Sequence, residues 1–494
     1  MTRDSMFSYP KQDLIAGIVV FLVALPLCLG IAVACGVPPI SGLVAGIVGG
    51  LVVPIISRSP LSVSGPAAGL TSIVLVEVQR LGGLEPFLTA VMLAGVLQFG
   101  LGVIKSGRFA SLVPSAVIKG MLAAIGITII WKQLPVAFGV NGGLADIASN
   151  IHLGAVAITV VSLVILYGTK KTPLGKITFL SPALLVVVIA SAMAASFGGS
   201  GDYALSAEQY VSVPLGGLGD LVGALPRPDL TAFARVDVWI AAATIAIVAS
   251  IETLLSVQAV DRLDPMRRTS PPDRELLAQG TANTLSGFLG GLPLTAVIVR
   301  SGANVAAGGR ERLSAVTHAV LLLVAVVAAG PLLNKIPLAC LAAVLIQVGL
   351  NLCKPALFKT QWKLGLTQLL PFAITIAAVL ATDLLKGVII GIIVGVGFVL
   401  FQNSRGAVVT SREPNGELLV RFRRDGTFLS KPGILAALAA IPNGAAVRID
   451  GTGEYIDHDV KEMIATFLDE APRREIVAHV QGIDLSMAAA GGGH

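Results

Sequence analysis

Residues 290–309 read GGLPLTAVIVRSGANVAAGG. The stretch is apolar enough to enter a bilayer, yet it holds Pro293, a Gly-Gly pair at each end and Arg300. A transmembrane helix needs about 20 apolar residues, more than the run between Pro293 and the second glycine pair provides. Non-helical backbone at membrane depth is tolerated only where protein encloses a cavity. The stretch therefore predicts a half-helix, near 295–307, that begins inside the membrane. A second short segment, near 66–79, opens in the same way from the Gly/Pro-containing run SVSGPAAGLTSIV (62–74).

The rest of the chain supplies the membrane context. Of its 494 residues, 54% are hydrophobic and 13% charged, against about 25% charged in soluble domains; the mean hydropathy is +0.85. Residues 404–494 hold 22 of the 64 charged side chains, so a long membrane domain is followed by a charged tail. Full-length spans are predicted near 14–36, 38–57, 85–104, 113–135, 152–168, 178–198, 236–258, 274–290, 313–333, 336–353, 366–383 and 385–402. With the two short segments, numbered three and ten, the total is fourteen, and both termini lie on one side. The loops on that side carry 15 Lys and Arg, those opposite carry 6, which makes the termini cytoplasmic. The net charge of +6 is thereby a loop property, and no nucleic-acid partner is expected. No signal-peptide cleavage pattern precedes the first span.

The halves match. VPSAVIKGMLAAIG (113–126) and IPLACLAAVLIQVG (336–349) share a proline followed twelve residues later by glycine, at an offset of 223; Pro66 and Pro293 are offset by 227. Seven spans per copy invert the second copy, giving an inverted repeat (about 14–198 and 236–403).

Half-helices carry chemistry at their tips. A helix that begins mid-membrane presents unpaired N–H groups and the positive end of its dipole. Two such tips facing each other make an anion site, and Arg300 adds positive potential. Glu252, in IAIVASIETLLSVQAV (245–260), is the other unusual charge, with about fifteen mostly apolar residues before it and eight uncharged ones after it; an ionisable group inside a span marks a substrate or ion pathway. Ser256 lies one turn on, along the same face. A carboxylate beside an anion site suits a coupling proton or cation. His152 and His318 fall near span ends and read as interfacial, while His458, His479 and His494 are too scattered for a metal site. Cys28, Cys35, Cys340 and Cys353 lie in apolar runs and read as buried hydrophobes. No HExxH, GxSxG or P-loop is present, so no enzyme and no cofactor are expected.

In the tail, GELLVRFRRDGTFL reads as a strand pair about Asp425-Gly426. KPGILAALAAI reads as a helix, AAVRIDG as a strand, DHDVKEMIATFLDEA as a helix and REIVAHVQG as a strand. The order β-β-α-β-α-β predicts a small α/β domain over 404–486, with 487–494 disordered and 1–13 a cytoplasmic lead.

ALPLCLGIA (24–32), GVPPISGLVAGIVGG (36–50), SVSGPAAGLT (62–71), SIETLLSVQAVDRLDP (250–265) and the opening stretch together resemble the SulP family of anion transporters, relatives of solute carrier family 26. The tail is similar to a STAS domain. The resemblance implies an α-helical membrane protein of 14 spans in two inverted seven-span repeats, divided into core and gate domains, usually a homodimer in the cell (inner) membrane. It implies secondary transport of a small inorganic anion, sulfate or bicarbonate, by an elevator motion coupled to H+ or Na+. Carried over by motif, the substrate site is Ala67, Ala68, Ala296, Val297, Ile298 and Arg300, and the coupling ion falls at Glu252 and Ser256. A sodium ion would sit among Glu252, Ser256, Ala296 and Ile298. Leu27 stands where many relatives have Gln, Glu252 where sodium-coupled bicarbonate members have Asp, and His458 where signalling STAS domains have a phosphorylated Ser. The remaining alternatives are an anion channel or exchanger for chloride or carboxylates, and a nucleobase carrier of the same fold. The carrier holds an acid on span ten, where this chain has Arg300.

Overall fold

The computed structural model describes residues 6–108, 113–140, 144–148, 150–169, 182–198, 201–213, 219, 223–404 and 406–485. The expected tail at 487–494 lies outside them. Among the described residues a helix occupies each of the fourteen predicted segments. They are α1 (Pro10–Ala34), α2 (Pro39–Ser57), α3 (Thr71–Leu81), α4 (Leu84–Val103), α5 (Ser115–Ala137), α6 (Leu153–Gly168) and α7 (Pro182–Ser196) in the first half. The second half has α8 (Val236–Leu263), α9 (Pro272–Phe288), α10 (Ile298–Ala306), α11 (Leu313–Ala328), α12 (Leu338–Leu352), α13 (Leu366–Ala381) and α14 (Leu384–Ser404). Six candidate spans, five of these helices and the run Leu338–Lys363, are long and apolar enough to cross a membrane by length and composition; others, such as α6 and α11, are shorter apolar helices. Proline opens α1, α2 and α9, where its missing N–H is no loss and its fixed φ suits the first turn. Outward residues such as Ile55, Val103 and Val164 are exposed and apolar, as lipid contact requires.

Contacts divide the chain into two compact units, Met1–Lys363 with Phe372–Gly391 and Leu364–Pro371 with Ile392–His494. Within the first unit, α5 and α12 are capped alike. Pro114 and Pro337 are their N-caps, both with extended ψ (136° and 139°). The two helices also cross at the matched glycines. A Cβ built on Gly126 would come 2.5 Å from the Gly349 carbonyl oxygen, and one on Gly349 would come 2.7 Å from that of Gly126. The proline and the glycine of the 223-residue offset thus fix one crossing: proline sets where each helix starts, and glycine lets the backbones touch.

The two short segments are not helical from their prolines. Each begins as a three-residue strand, β1 (Ser64–Pro66) or β2 (Leu294–Ala296), and only then turns into helix. The half-helices are accordingly shorter than the predicted 66–79 and 295–307 segments.

In the second unit, β3 (Val408–Arg412), β4 (Leu418–Phe422), β5 (Ala446–Asp450) and β6 (Val477–Gln481) form one sheet in the order β3-β4-β5-β6. The first pair is antiparallel and the other two are parallel. Helices α15 (Lys431–Ala439) and α16 (His458–Glu470) make the crossovers, and Val420, Ile434, Ile449, Val460 and Ile464 form their common core. The β-β-α-β-α-β order matches the sequence reading, but the hairpin turn does not. The partner of β4 precedes it, and the chain reverses at Pro414-Asn415-Gly416, where Gly416 has φ 87° and the Glu413 amide donates to Glu417 at 2.8 Å. Asp425-Gly426 instead meets Ile456 in an isolated parallel bridge. A Pro-Asn-Gly run is the stronger turn signal because it supplies both a fixed φ and a left-handed position.

Candidate functional site

The site is built where the two broken segments meet. Strands β1 and β2 pair antiparallel, Ser64 opposite Ala296, Gly65 opposite Thr295 and Pro66 opposite Leu294. Hydrogen bonds extend the ladder at both ends. The Val297 amide donates to the Val63 carbonyl at 3.0 Å, and the Val63 amide donates to Ser301 Oγ at 2.9 Å. Asn304 Nδ2 donates to the Leu61 carbonyl at 3.1 Å. Asn283 of α9 clamps Leu294, accepting from its amide at 2.7 Å and donating to its carbonyl at 3.0 Å. Neither lead carries a free strand edge in lipid, because side chains and the opposite lead satisfy the backbone.

Past the ladder the chain becomes helical on both sides. Ala68–Leu70 forms one 3-10 turn before α3, and α10 starts at Ile298. The first bond of α10 runs from the Ser301 amide to the Val297 carbonyl at 3.0 Å. The amides of Ile298, Val299 and Arg300 precede that bond and have no intrahelical acceptor. The Gly69 amide lies beside the Glu252 carboxylate. A Cβ on Gly69 would stand 2.7 Å from both oxygens of that carboxylate, so glycine is what lets Glu252 approach the tip of the first half-helix.

A cavity of about 280 Å³ opens against these tips. Ala68, Gly69, Val297, Ile298, Val299 and Arg300 line it, with Glu252 and Ser256 from α8 and Leu27 and Ile31 from α1. Lys119 of α5 and Arg262 of α8 add two cations.

Six of the predicted site residues therefore share one cavity: Ala68, Glu252, Ser256, Val297, Ile298 and Arg300. Ala67 and Ala296 do not line it; both are buried, Ala296 within the ladder and Ala67 just past β1. The predicted backbone donors need correcting by a residue or two. The Ala296 amide donates to Thr253 Oγ1 at 3.3 Å and the Val297 amide to Val63; both are engaged in framework bonds, because the strand lead extends further than the half-helix reading allowed. The Arg300 side chain is fully buried. A Cβ on Gly65 would fall on its guanidinium, and the group lies near Cys28 and His318. Among the described residues no carboxylate pairs with it. His318, read as interfacial, is instead fully buried in α11, beside the Arg300 guanidinium. His152 instead caps α6, its ring accepting from the Ala155 amide.

Sequence reasoning missed Gly69, Lys119, Arg262, Thr253 and Asn283. Lys119 gave a similar signal to Glu252, a charge well inside a predicted span. Arg262 was counted only as a loop cation. Nothing local marks Thr253, whose role exists only because β2 passes beside it.

The sulfate permease family matches residues 11–378. YvdB of Bacillus subtilis (strain 168), named as a sulfate transporter, is 27% identical over 430 residues, 83% of this chain and 77% of that protein. Bicarbonate transporter BicA of Synechocystis sp. is 27% identical over 411 residues, 80% of this chain and 70% of that protein. The structure of murine solute carrier 26 family member A9, an anion transporter in the inward-facing state, superposes with a TM-score of 0.78 at 17% identity. It covers 98% of this chain and 88% of that one.

Proposed function

This chain belongs to the sulfate permease family, and from that premise we propose that it is a secondary active transporter of a small inorganic anion, sulfate or bicarbonate. The relatives' names support those two anions. The observation that carries the reading is the cavity at the paired half-helix tips. Ile298, Val299 and Arg300, whose amides have no intrahelical acceptor, line its wall, and dipole ends with unpaired N–H groups favour negative charge. Lys119, Arg262 and Arg300 outnumber Glu252 around it, so the field favours an anion over a neutral ring.

Glu252 and Ser256 are the coupling-ion site. The carboxylate lies against Gly69 at the half-helix tip, where an H+ or a Na+ bound to it lowers the cost of its charge beside the anion. Residues from α1, the turn before α3, α8 and α10 make one wall of the cavity, and α5 with Val348 and Leu352 of α12 makes the other. Sliding of the first wall along the second is the elevator step. Lys119, Arg262 and Leu352 lie toward the side assigned as cytoplasmic, which makes the cavity inward-open. The reciprocal Gly126–Gly349 crossing and the matched proline caps support two inverted seven-span repeats and fourteen crossings. The four-stranded tail supports a STAS-like cytoplasmic domain serving docking or homodimer formation.

The test is purified protein in liposomes, given labelled sulfate or bicarbonate under imposed Na+ or pH gradients. Gradient-driven uptake of one of them is expected, and Arg300→Ala abolishes it. Uptake at the wild-type rate in that variant overturns the site assignment.

A further inference from the structure

A second, smaller cavity lies along the same half-helix. It measures about 10 Å³, room for roughly one water. Ala68 and Ile125 line both this cavity and the large one, so those two side chains form the partition between them. Its walls are polar for a membrane interior: Thr71 and Ser72 from the first turn of α3, and Thr128, Lys132 and Gln133 from α5. Gln133 is buried and Lys132 partly so. The Lys132 ammonium lies within electrostatic range of the Cys35 thiol, and among the described residues it takes part in no salt bridge. Lys119 and Lys132 lie on one helix, thirteen residues apart, or about 20 Å along its axis. One sits in each cavity.

An ionisable group in a span is costly and marks a pathway. Two on one helix, at either side of a two-residue partition, mark two stations of one path. We infer that Lys132, with Thr71, Ser72, Thr128 and Gln133, forms a second anion station on the external side of the Ala68–Ile125 partition, closed while the Lys119 cavity is open. It rests on the transporter reading and on the cytoplasmic placement of the termini. The ligand class is a small oxyanion, matched by one ammonium, the hydroxyls of Ser72 and Thr128 and one carboxamide as donors; the Thr71 hydroxyl donates to the Ala68 carbonyl at 2.7 Å and shapes the wall. The half-helix supplies both stations, Ala68 and Gly69 to the inner and Thr71 and Ser72 to the outer. A shift of α3 along α5 therefore carries the anion past Ile125 from one lysine to the other.

The experiment measures transport from each side, with sulfate and bicarbonate as probes, in liposomes holding the full chain in a single orientation. Lys132→Gln raises the KM for anion presented externally about tenfold, the loss of one charge-assisted hydrogen bond, and leaves the internal KM within about twofold. Lys119→Gln does the reverse. Lys132→Arg restores the external KM, which separates charge from packing. Thr128→Val, milder than either lysine change, raises the external KM about threefold. A Lys132→Gln effect of equal size on both sides, or none on either, overturns the second station while wild-type transport leaves the transporter reading standing. Wild-type protein that moves neither probe overturns both.

Discussion

Asn283 gives the sharpest test of how the site is held. It is 1% exposed and makes three hydrogen bonds: from the Leu294 amide (2.7 Å), to the Leu294 carbonyl (3.0 Å) and to Gln98 Oε1 (2.8 Å). Asn283→Ala removes all three inside a region closed to water. Hydrogen bonds in membrane interiors are worth about 0.6 kcal/mol each on average, and those of soluble proteins about 1 kcal/mol, so the loss is about 2–3 kcal/mol. Asn283→Asp keeps an acceptor for the Leu294 amide and, with its carboxyl protonated, one of the two donations, and in that state falls between Ala and wild type. Two measurements decide. Denaturant unfolding in mixed micelles reads the stability difference, and liposome uptake reads the lead geometry. Asn283→Ala is expected to lose anion uptake at least tenfold, because Leu294 starts the strand that aims α10 at the cavity and small misplacements at a site cost large factors. Wild-type stability together with wild-type uptake refutes the idea that a side-chain clamp positions the second half-helix.

Three further outcomes follow from the same geometry. Glu252→Gln is expected to retain anion binding but to make uptake insensitive to the imposed Na+ or pH gradient; gradient-driven uptake that survives in liposomes removes Glu252 from the coupling role. Gly126→Ala forces a methyl to within 2.5 Å of the Gly349 carbonyl oxygen and costs about 1–3 kcal/mol; additive effects of Gly126→Ala and Gly349→Ala in unfolding experiments contradict a shared contact. In the loop after α8, Arg268 bridges Asp264 (2.8 Å) and Glu311 (2.6 Å), both nearly buried. Burial pushes the Asp264 carboxyl up, but Arg268 and the Met266 amide more than offset this and hold it below its ordinary value. A depressed carboxyl contributes stability above the unfolded pKa, near 3.9, that is lost as pH falls through the folded value. Arg268→Ala therefore lowers stability by about 3 kcal/mol at neutral pH, and its gap from wild type narrows below about pH 4. A gap that is constant with pH in melting curves contradicts this pairing.

The broken segments were legible because composition and length conflict there. Apolar residues say membrane, while Pro293 and the glycine pairs say interruption, and only an enclosed cavity reconciles the two. The charges Glu252 and Arg300 stood out for the same reason. His318 was misread because its sequence distance from a span end says nothing about its neighbours: Arg300 lies 18 residues away and is brought beside it by packing. The tail hairpin was placed one turn late because Asp425-Gly426 was read as its turn, although Pro414-Asn415-Gly416 also matches turn chemistry.

The sequence by itself determined that this is a helical membrane protein with two interrupted segments and a small α/β tail. Hydropathy, breaker residues and repeat offsets are local quantities, and each can be read along the chain. Only the tertiary structure decided which amides face the cavity and which are engaged. The β1–β2 ladder, formed between residues some 230 positions apart, binds Val297 to Val63 and thereby moves the open donors to 298–300. Pairing across that distance depends on how the two halves dock, and no pattern within either half encodes it alone.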